Sequence, residues 1–200
     1  MPESIRDGTG DGNLAKVDAN FRLHVQAATI SEGANANKSG RAFNINTGVI
    51  TLTSAADTPV LYVKNSNALD LHISAVAVGI GPTTGGSGGI PKITVIRNPT
   101  VGTTIDNTND VDINSNRNYG SENTLTSVVA YKGATGETMT DGVDHLLLYQ
   151  TTSGRLFAEI DEILPTGASI GVKVDPQASN TSMDVYVALI CHQEDTENTD

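Results

Sequence analysis

The stretch TPVLYVKNSNALDLHISAVAVGIG, residues 58–81, indicates the fold most directly. Residues 60–64 are rich in β-branched and aromatic side chains, and the Asn-Ser-Asn run at residues 65–67 tolerates the positive φ of a tight turn. Beyond it, odd-numbered positions up to Ala77 are apolar, while even-numbered positions are polar at first and apolar from Val76 onward. The pattern predicts a hairpin whose second strand has one solvent-exposed face at its beginning and two buried faces at its end.

Further strand patterns lie on both sides of this hairpin, at residues 21–26, 41–45, 49–54, 90–97, 125–132, 144–150, 155–164, 168–174 and 181–192. The intervals are rich in Gly, Asn and Thr, and residues 31–40 are predicted to be one of these loops. No window has apolar residues at helical spacing. About ten strands with long polar connections predict an all-β fold, a two-sheet antiparallel β-sandwich that is jelly-roll-like.

The 200 residues fit one such domain, which we expect at residues 20–192. Residues 1–19 combine closely spaced Gly and Asp with isolated apolar positions, and too little apolar surface to fold alone. They are predicted to form an extended N-terminal arm that is either disordered or ordered against the body or a neighbour. Residues 193–200 are predicted to be an acidic, solvated tail.

Charge and apolar pattern restrict the classes of partner. The chain has 12 Lys and Arg against 23 Asp and Glu, a formal net charge of -11, and no basic cluster, which excludes nucleic acid. No apolar run approaches the roughly 20 residues that cross a membrane, and MPESIRDGTG lacks an apolar signal region. We therefore expect no membrane partner and synthesis in the cytoplasm. The single cysteine, Cys191, is predicted to be a core thiol.

Residues 167–171, GASIG, match the G-x-S-x-G pattern of serine hydrolases. That motif needs a strand, a sharp turn and a helix, so that the hydroxyl projects from the sheet. Here the turn at residues 165–167 comes first and an alternating strand runs through the pentapeptide, so we interpret the match as accidental. No catalytic pair of carboxylates can be named, and the chain is not predicted to be an enzyme.

Several groups of oxygen and nitrogen donors have to be weighed as metal ligands. Residues 7–13 with Asp18 have calcium-loop spacing, but flanking helices are missing and the last acid is Asp instead of Glu, so a solvated arm is favoured. Asp112, Asn114 and Asn116 have a weaker form of this spacing. Four histidines lie far apart in sequence without paired ligands nearby, and each is predicted to be a surface or strand-end residue rather than a metal ligand: His24, His72, His145 and His192. The sequence predicts no metal site and no cofactor.

The candidate contact residues lie in the arm and in the long polar loop at residues 98–123. A loop of this length is usually functional or held by a partner. The predicted interaction residues are Ile5, Arg6, Leu14, Val17, Asn114, Asn116, Arg117, Asn118 and Tyr119. Burying the three apolar arm residues against a neighbour would contribute roughly 1.5 to 3 kcal/mol each.

The order of segments along nearly the whole chain resembles a group of tailed-bacteriophage virion proteins. The segments are IRDGTG (5–10), AKVDANFRLHV (15–25), AFNINTGVITLT (42–53), VLYVKN (60–65), AVAVGIGPTTGG (75–86), IRNPTVGT (96–103), NRNYGSENTL (116–125) and SNTSMDVYVALI (179–190). They mark turns and strands rather than a chemistry, so the resemblance carries no functional residue with it.

The resemblance implies a capsid decoration or cement protein that binds the outer surface of the major capsid shell and stabilises it. Such proteins are often β-sandwiches that sit as trimers over threefold positions, so the expected partners are the major capsid protein and further copies of this chain. The expected location is the capsid exterior of the virion.

Two alternatives stay open. A tail, neck or head-fibre component that adsorbs to a host surface is the first, although the coiled-coil or β-helix repeats of long fibres are missing. A binding module or carbohydrate-active enzyme on a jelly roll is the second, although a sugar binder usually exposes Trp or Tyr. Copy number per particle separates a shell protein from a tail protein.

Overall fold

A computed structural model describes residues 31–53, 56–84, 90–101, 105, 115–150, 153–177 and 182–194. The chain divides into two units, Met1–Ser31 and Glu32–Asp200, and the described helix and strands belong to the second. The predicted arm, the predicted strand at residues 21–26 and residues 195–200 of the predicted tail lie outside the described residues.

One helix and thirteen strands make up the described part of the chain. In order they are α1 (Glu32–Lys38), β1 (Ala42–Asn46), β2 (Ile50–Leu52), β3 (Thr58–Asn65), β4 (Leu71–Thr84), β5 (Lys92–Arg97), β6 (Thr100–Val101), β7 (Ser115–Asn116), β8 (Val128–Lys132), β9 (Met139–Thr140), β10 (Val143–Tyr149), β11 (Gly154–Leu164), β12 (Ser169–Asp175) and β13 (Ser182–Gln193).

Eleven of the strands form two antiparallel sheets that pack face to face, and β6 pairs with β9 in a separate two-stranded sheet. The first sheet has the order β11-β4-β13-β1-β7, with β2 also paired to β13, and the second has the order β10-β5-β12-β3-β8. Eight of these strands can be numbered one to eight in chain order: β1, β3, β4, β5, β10, β11, β12 and β13. In this numbering the order of strands across the first sheet is six, three, eight, one, and the order across the second sheet is five, four, seven, two. This is the strand order of a jelly roll, and it confirms the predicted fold class.

The predicted hairpin at residues 58–81 is wrong in its pairing. Both strands exist, but β3 pairs with β12 and β8, whereas β4 pairs with β11 and β13, so they lie in opposite sheets. Asn65 turns the chain between them, because its Nδ2 donates to the carbonyls of Leu69 (2.9 Å) and Leu164 (2.8 Å) and its Oδ1 accepts from the Asn67 amide. Alternation of apolar and polar residues predicts which face of a strand is buried, but it does not predict which strand will pair with it.

The prediction of a loop at residues 31–40 is also wrong, because helix α1 occupies most of it. Glu32 in the first turn and Lys38 in the last complement the helix dipole. The left-handed Gly40 (φ 70°) ends the helix, and the Arg41 amide donates to the Ala36 carbonyl at 2.7 Å. Ala36 is the one buried residue of this helix, so its seven residues contain no apolar stripe that periodicity could detect.

The core between the sheets is mostly aliphatic. It contains Val, Ile and Leu side chains from both sheets, with Phe43, Met183 and the fully buried Cys191 among them. Strand β4 has half-exposed His72 and Ser74 near its start and is buried throughout residues 75–80, which confirms the predicted change from one wet face to none. A smaller cluster of Tyr62, Ile96, Ile105 and Met139, packed against Tyr131, lies apart from the main core.

Candidate interaction surface

One lateral side of the sandwich is covered by the segment at residues 117–127, which connects β7 in the first sheet with β8 in the second; we call this the closed side. Asn116 Nδ2 donates to the carbonyls of Gly40 (2.8 Å) and Asn123 (3.0 Å), and Asn118 Nδ2 donates to Lys38 O (3.0 Å). Leu125 of the segment is buried in the main core. The segment is thus fastened to the end of α1 and closes the core.

These bonds assign different roles to the predicted contact residues. Asn116 and Asn118 use their amides to hold the segment, so they are part of the fold. Arg117 is exposed and Tyr119 is fully exposed beside them, so these two are free to meet a partner. The remaining predicted residues, Ile5, Arg6, Leu14, Val17 and Asn114, lie outside the described residues.

The opposite side is formed by β10 and β11, which are the terminal strands of the two sheets; we call it the open side. Their inward side chains Leu146, Leu148, Leu156 and Ile160 are only partly buried against the core. Their outward side chains include five large apolar residues that are 48% to 69% exposed: Val143, Leu147, Tyr149, Phe157 and Ile163. Five of the eight exposed large apolar residues in the described part of the chain therefore lie on two strands.

A polar side-chain contact links these two edge strands. His145 Nε2 lies 2.6 Å from Glu162 Oε1, and Arg97 Nη2 lies 3.9 Å from Glu162 Oε2. His145 is the extra residue of a bulge in β10, and a second bulge in β11 lies immediately before Glu162. The bulges turn both side chains toward each other across the gap between the sheets.

A pocket of about 120 Å³ beside this pair is also lined by Ser169 of the G-x-S-x-G stretch. Ser169 is buried at the first position of strand β12, and its hydroxyl donates to the Pro99 carbonyl at 2.7 Å. The residue stands after a turn and within a sheet, as the sequence indicated, rather than on a strand-to-helix elbow. A buried hydroxyl that already donates to a backbone carbonyl is a core contact and is poorly placed to attack a substrate.

Two of the histidines that lie far apart in the sequence are neighbours in the fold. His72 on β4 lies directly opposite His192 on β13, and their rings stack with centroids 4.9 Å apart. His192 is buried, and burial together with the neighbouring His72 lowers its pKa, while Glu32 at 3.6 Å raises it in part. Alternation along each strand indicates the face of each histidine, but their proximity depends on the register between β4 and β13.

Burial also governs the single thiol. Cys191 lies between the sheets with its Sγ 3.6 Å from the Phe43 carbonyl, and burial raises the pKa of the thiol to about 12. Its burial confirms the prediction of a core thiol. The thiol is protonated at neutral pH and is therefore a poor nucleophile.

Comparison with known proteins adds no assignment: no family model matches the sequence, and no curated protein matches it. Within the described residues, no helix has the length and apolar character that crossing a membrane requires.

Proposed function

We propose that this chain is a capsid decoration or cement protein of a tailed bacteriophage, which binds the outer surface of the major capsid shell and stabilises it through protein contacts. The observation that carries the proposal is the open side, where large apolar side chains and two strand edges are exposed together. The sequence resemblance to virion proteins supplies the class of partner.

The open side has the physical character of a protein-binding surface. Exposed apolar side chains concentrated in one region mark interaction sites more often than isolated ones do. A terminal strand also presents backbone N–H and C=O groups that a partner can use, and β10 and β11 are terminal in the described sheets. Completing the burial of five half-exposed side chains would contribute on the order of 1 kcal/mol each.

Contacts of this size suit a repeated lattice. A surface worth a few kcal/mol gives weak binding for one copy, but three linked copies would raise avidity by roughly 10² to 10⁴. We therefore propose a homotrimer on the shell, with Arg117 and Tyr119 as a second contact point. The net charge of -11 keeps the chain soluble before assembly.

The first test is the chain's copy number in purified virions of the phage that encodes it, measured by quantitative mass spectrometry against the major capsid protein. The proposal expects several hundred copies. A few dozen or fewer would favour the tail, neck or head-fibre alternative, and absence from the particle would overturn the virion assignment.

The second test uses two valines of equal exposure. Val143→Asp places a charge on the open side, and Val49→Asp places one elsewhere on the surface, where the native side chains are 69% and 68% exposed. We expect Val143→Asp to bind capsids lacking the protein at least tenfold more weakly in sedimentation assays, and Val49→Asp to bind like wild type. Equal binding by both folded variants would remove the open side as the contact surface.

The arm is tested by deleting residues 1–19. If Ile5, Arg6, Leu14 and Val17 contact a neighbour, the truncated protein will keep the circular dichroism spectrum of the sandwich and will dissociate from particles during a gradient. Full retention on the particle would remove the arm from the proposed contacts. Light scattering of both forms will show whether a trimer exists in solution.

A further inference from the structure

Helix α1 and the two central strands of the first sheet bring three metal-ligating side chains together. His72 and His192 are opposite each other on β4 and β13, and Glu32 is the first residue of α1. One donor atom from each residue can be chosen so that all three lie within 4.8 Å of one another. Residues 32, 72 and 192 are far apart in the chain, so this grouping is a product of the fold.

His192 has an unexplained nitrogen at the centre of this group. Its side chain is 10% exposed, and its Nε2 is buried without a hydrogen-bond partner. Glu32 Oε1 lies 3.6 Å from this nitrogen, which is too far for a hydrogen bond. Buried polar atoms nearly always have partners, and a site for an ion is one of the ordinary reasons for an orphan.

We propose that Glu32, His72 and His192 form a binding site for a divalent transition metal of the Zn²⁺ type. Two imidazoles and one carboxylate are a donor set that Zn²⁺ uses in proteins, with a fourth position for water. Zn–N and Zn–O bonds are about 2.0 to 2.2 Å long, so donors on one tetrahedral ion stand roughly 3.3 to 3.6 Å apart. The 3.6 Å between Glu32 Oε1 and His192 Nε2 already has this spacing, and since the three donor atoms lie within 4.8 Å of one another, His72 would have to reorient for all three to meet it.

The surroundings favour one divalent ion rather than a larger cluster. Arg41 is held near the site, where its Nη1 donates to the Gln193 carbonyl at 3.2 Å and its Nε to the Ser39 hydroxyl at 3.0 Å. Its positive charge opposes a second cation. A bound ion would tie α1 to β4 and β13, in addition to the contact that Ala36 makes.

The test is a titration of the full, metal-stripped chain with ZnCl₂ by isothermal calorimetry, using His72→Gln and Glu32→Gln as site variants. His145→Gln is the matched control, because His145 also pairs with a glutamate but lies beside the pocket on the open side. We expect one tight Zn²⁺ per chain, at least tenfold weaker binding in His72→Gln, a smaller loss in Glu32→Gln, and wild-type binding in His145→Gln.

Two results would overturn the proposal: wild-type affinity within twofold in both site variants, or loss of the tight site in His145→Gln. If a site variant does not fold, the histidine ring signals of the wild-type chain in NMR decide the matter. Zn²⁺ must shift the His72 and His192 signals first, and equal shifts at all four histidines would mean non-specific binding only.

Discussion

Polar and apolar residues have opposite roles on the closed side and on the open side of the sandwich. On the closed side, asparagine amides donate to backbone carbonyls at the end of α1 and just beyond it, and Leu125 completes the core. On the open side, leucines of β10 and β11 close the core only partly, and apolar side chains face outward. Polar residues therefore build the fold where a loop covers the core, and large apolar residues remain exposed where no described loop does so.

The contrast teaches that residue type alone does not identify a contact surface. Asn116 and Asn118 are polar and near the surface, yet their hydrogen bonds are used within the chain. Val143 and Leu147 belong to a strand, yet they are exposed. Substitutions on the two sides, compared by their effect on the free energy of unfolding, should separate residues that hold the fold from residues that only lie on its surface.

The largest expected effect comes from Leu125→Ala on the closed side. Removing a buried leucine side chain leaves a cavity in the main core, so we expect the free energy of unfolding to fall by about 3 kcal/mol. Urea unfolding followed by circular dichroism measures this change. A loss below about 1 kcal/mol would mean that the segment does not close the core as described.

A smaller loss is expected for Asn116→Ala. The substitution removes the amide bonds to the Gly40 and Asn123 carbonyls, which we expect to cost about 1 to 2 kcal/mol of unfolding free energy. Tyr119→Ala, three residues away and fully exposed, is the control and should change stability by less than about 0.5 kcal/mol. Equal effects of the two substitutions would contradict the division between fold and contact residues.

Cys191 on β13 pairs with Phe43 of β1, the strand next to β7 at the closed side, and gives a pH-dependent probe of stability. Its pKa rises from an ordinary 9.0 to about 12 in the folded chain, so the unfolded state loses its proton first as pH increases. Stability is fully present below pH 9 and is lost as pH rises toward 12, by about 1 kcal/mol at pH 10. Urea unfolding at pH 8 and pH 10 measures the loss, and Cys191→Ala should flatten it. An unchanged pH dependence in that variant would assign the loss to other groups.

The smallest effect on stability is expected on the open side. Leu147→Ser removes an outward side chain that is already about half exposed, so the free energy of unfolding should change by less than about 0.5 kcal/mol. Urea unfolding followed by circular dichroism measures this change. A loss comparable to that of Leu125→Ala would show that the open side is part of the core rather than a surface.

Much of the fold could be predicted because alternation depends on local sequence. The strands at residues 155–164, 168–174 and 181–192 correspond closely to β11, β12 and β13. The partner strands of β3 and β4 could not be predicted in the same way. A short Asn-Ser-Asn connection can join two strands of a hairpin, and it can also carry the chain from one sheet to the other. The hydrogen bond from Asn65 to Leu164, 99 positions away, decides between them.

The candidate sites depend even more on contacts between distant residues. His72 and His192 meet only through the register of β4 and β13, and Glu32 reaches them only because α1 forms where a loop was predicted. Exposure of Leu147 and Phe157 likewise follows from the terminal positions of β10 and β11 in their sheets. Strand order is a non-local property, so sequence periodicity does not contain it.

The position of β13 has a consequence for biosynthesis. This last strand lies between β4 and β1 in the first sheet, so until residues 182–193 have left the ribosome β4 can pair only with β11 and β1 only with β7. Jelly rolls rely on such long-range pairing and fold slowly. Nascent chains therefore carry one unpaired edge on each of β1 and β4 through most of their translation, and a premature stop before residue 182 would release a product without β13 between them.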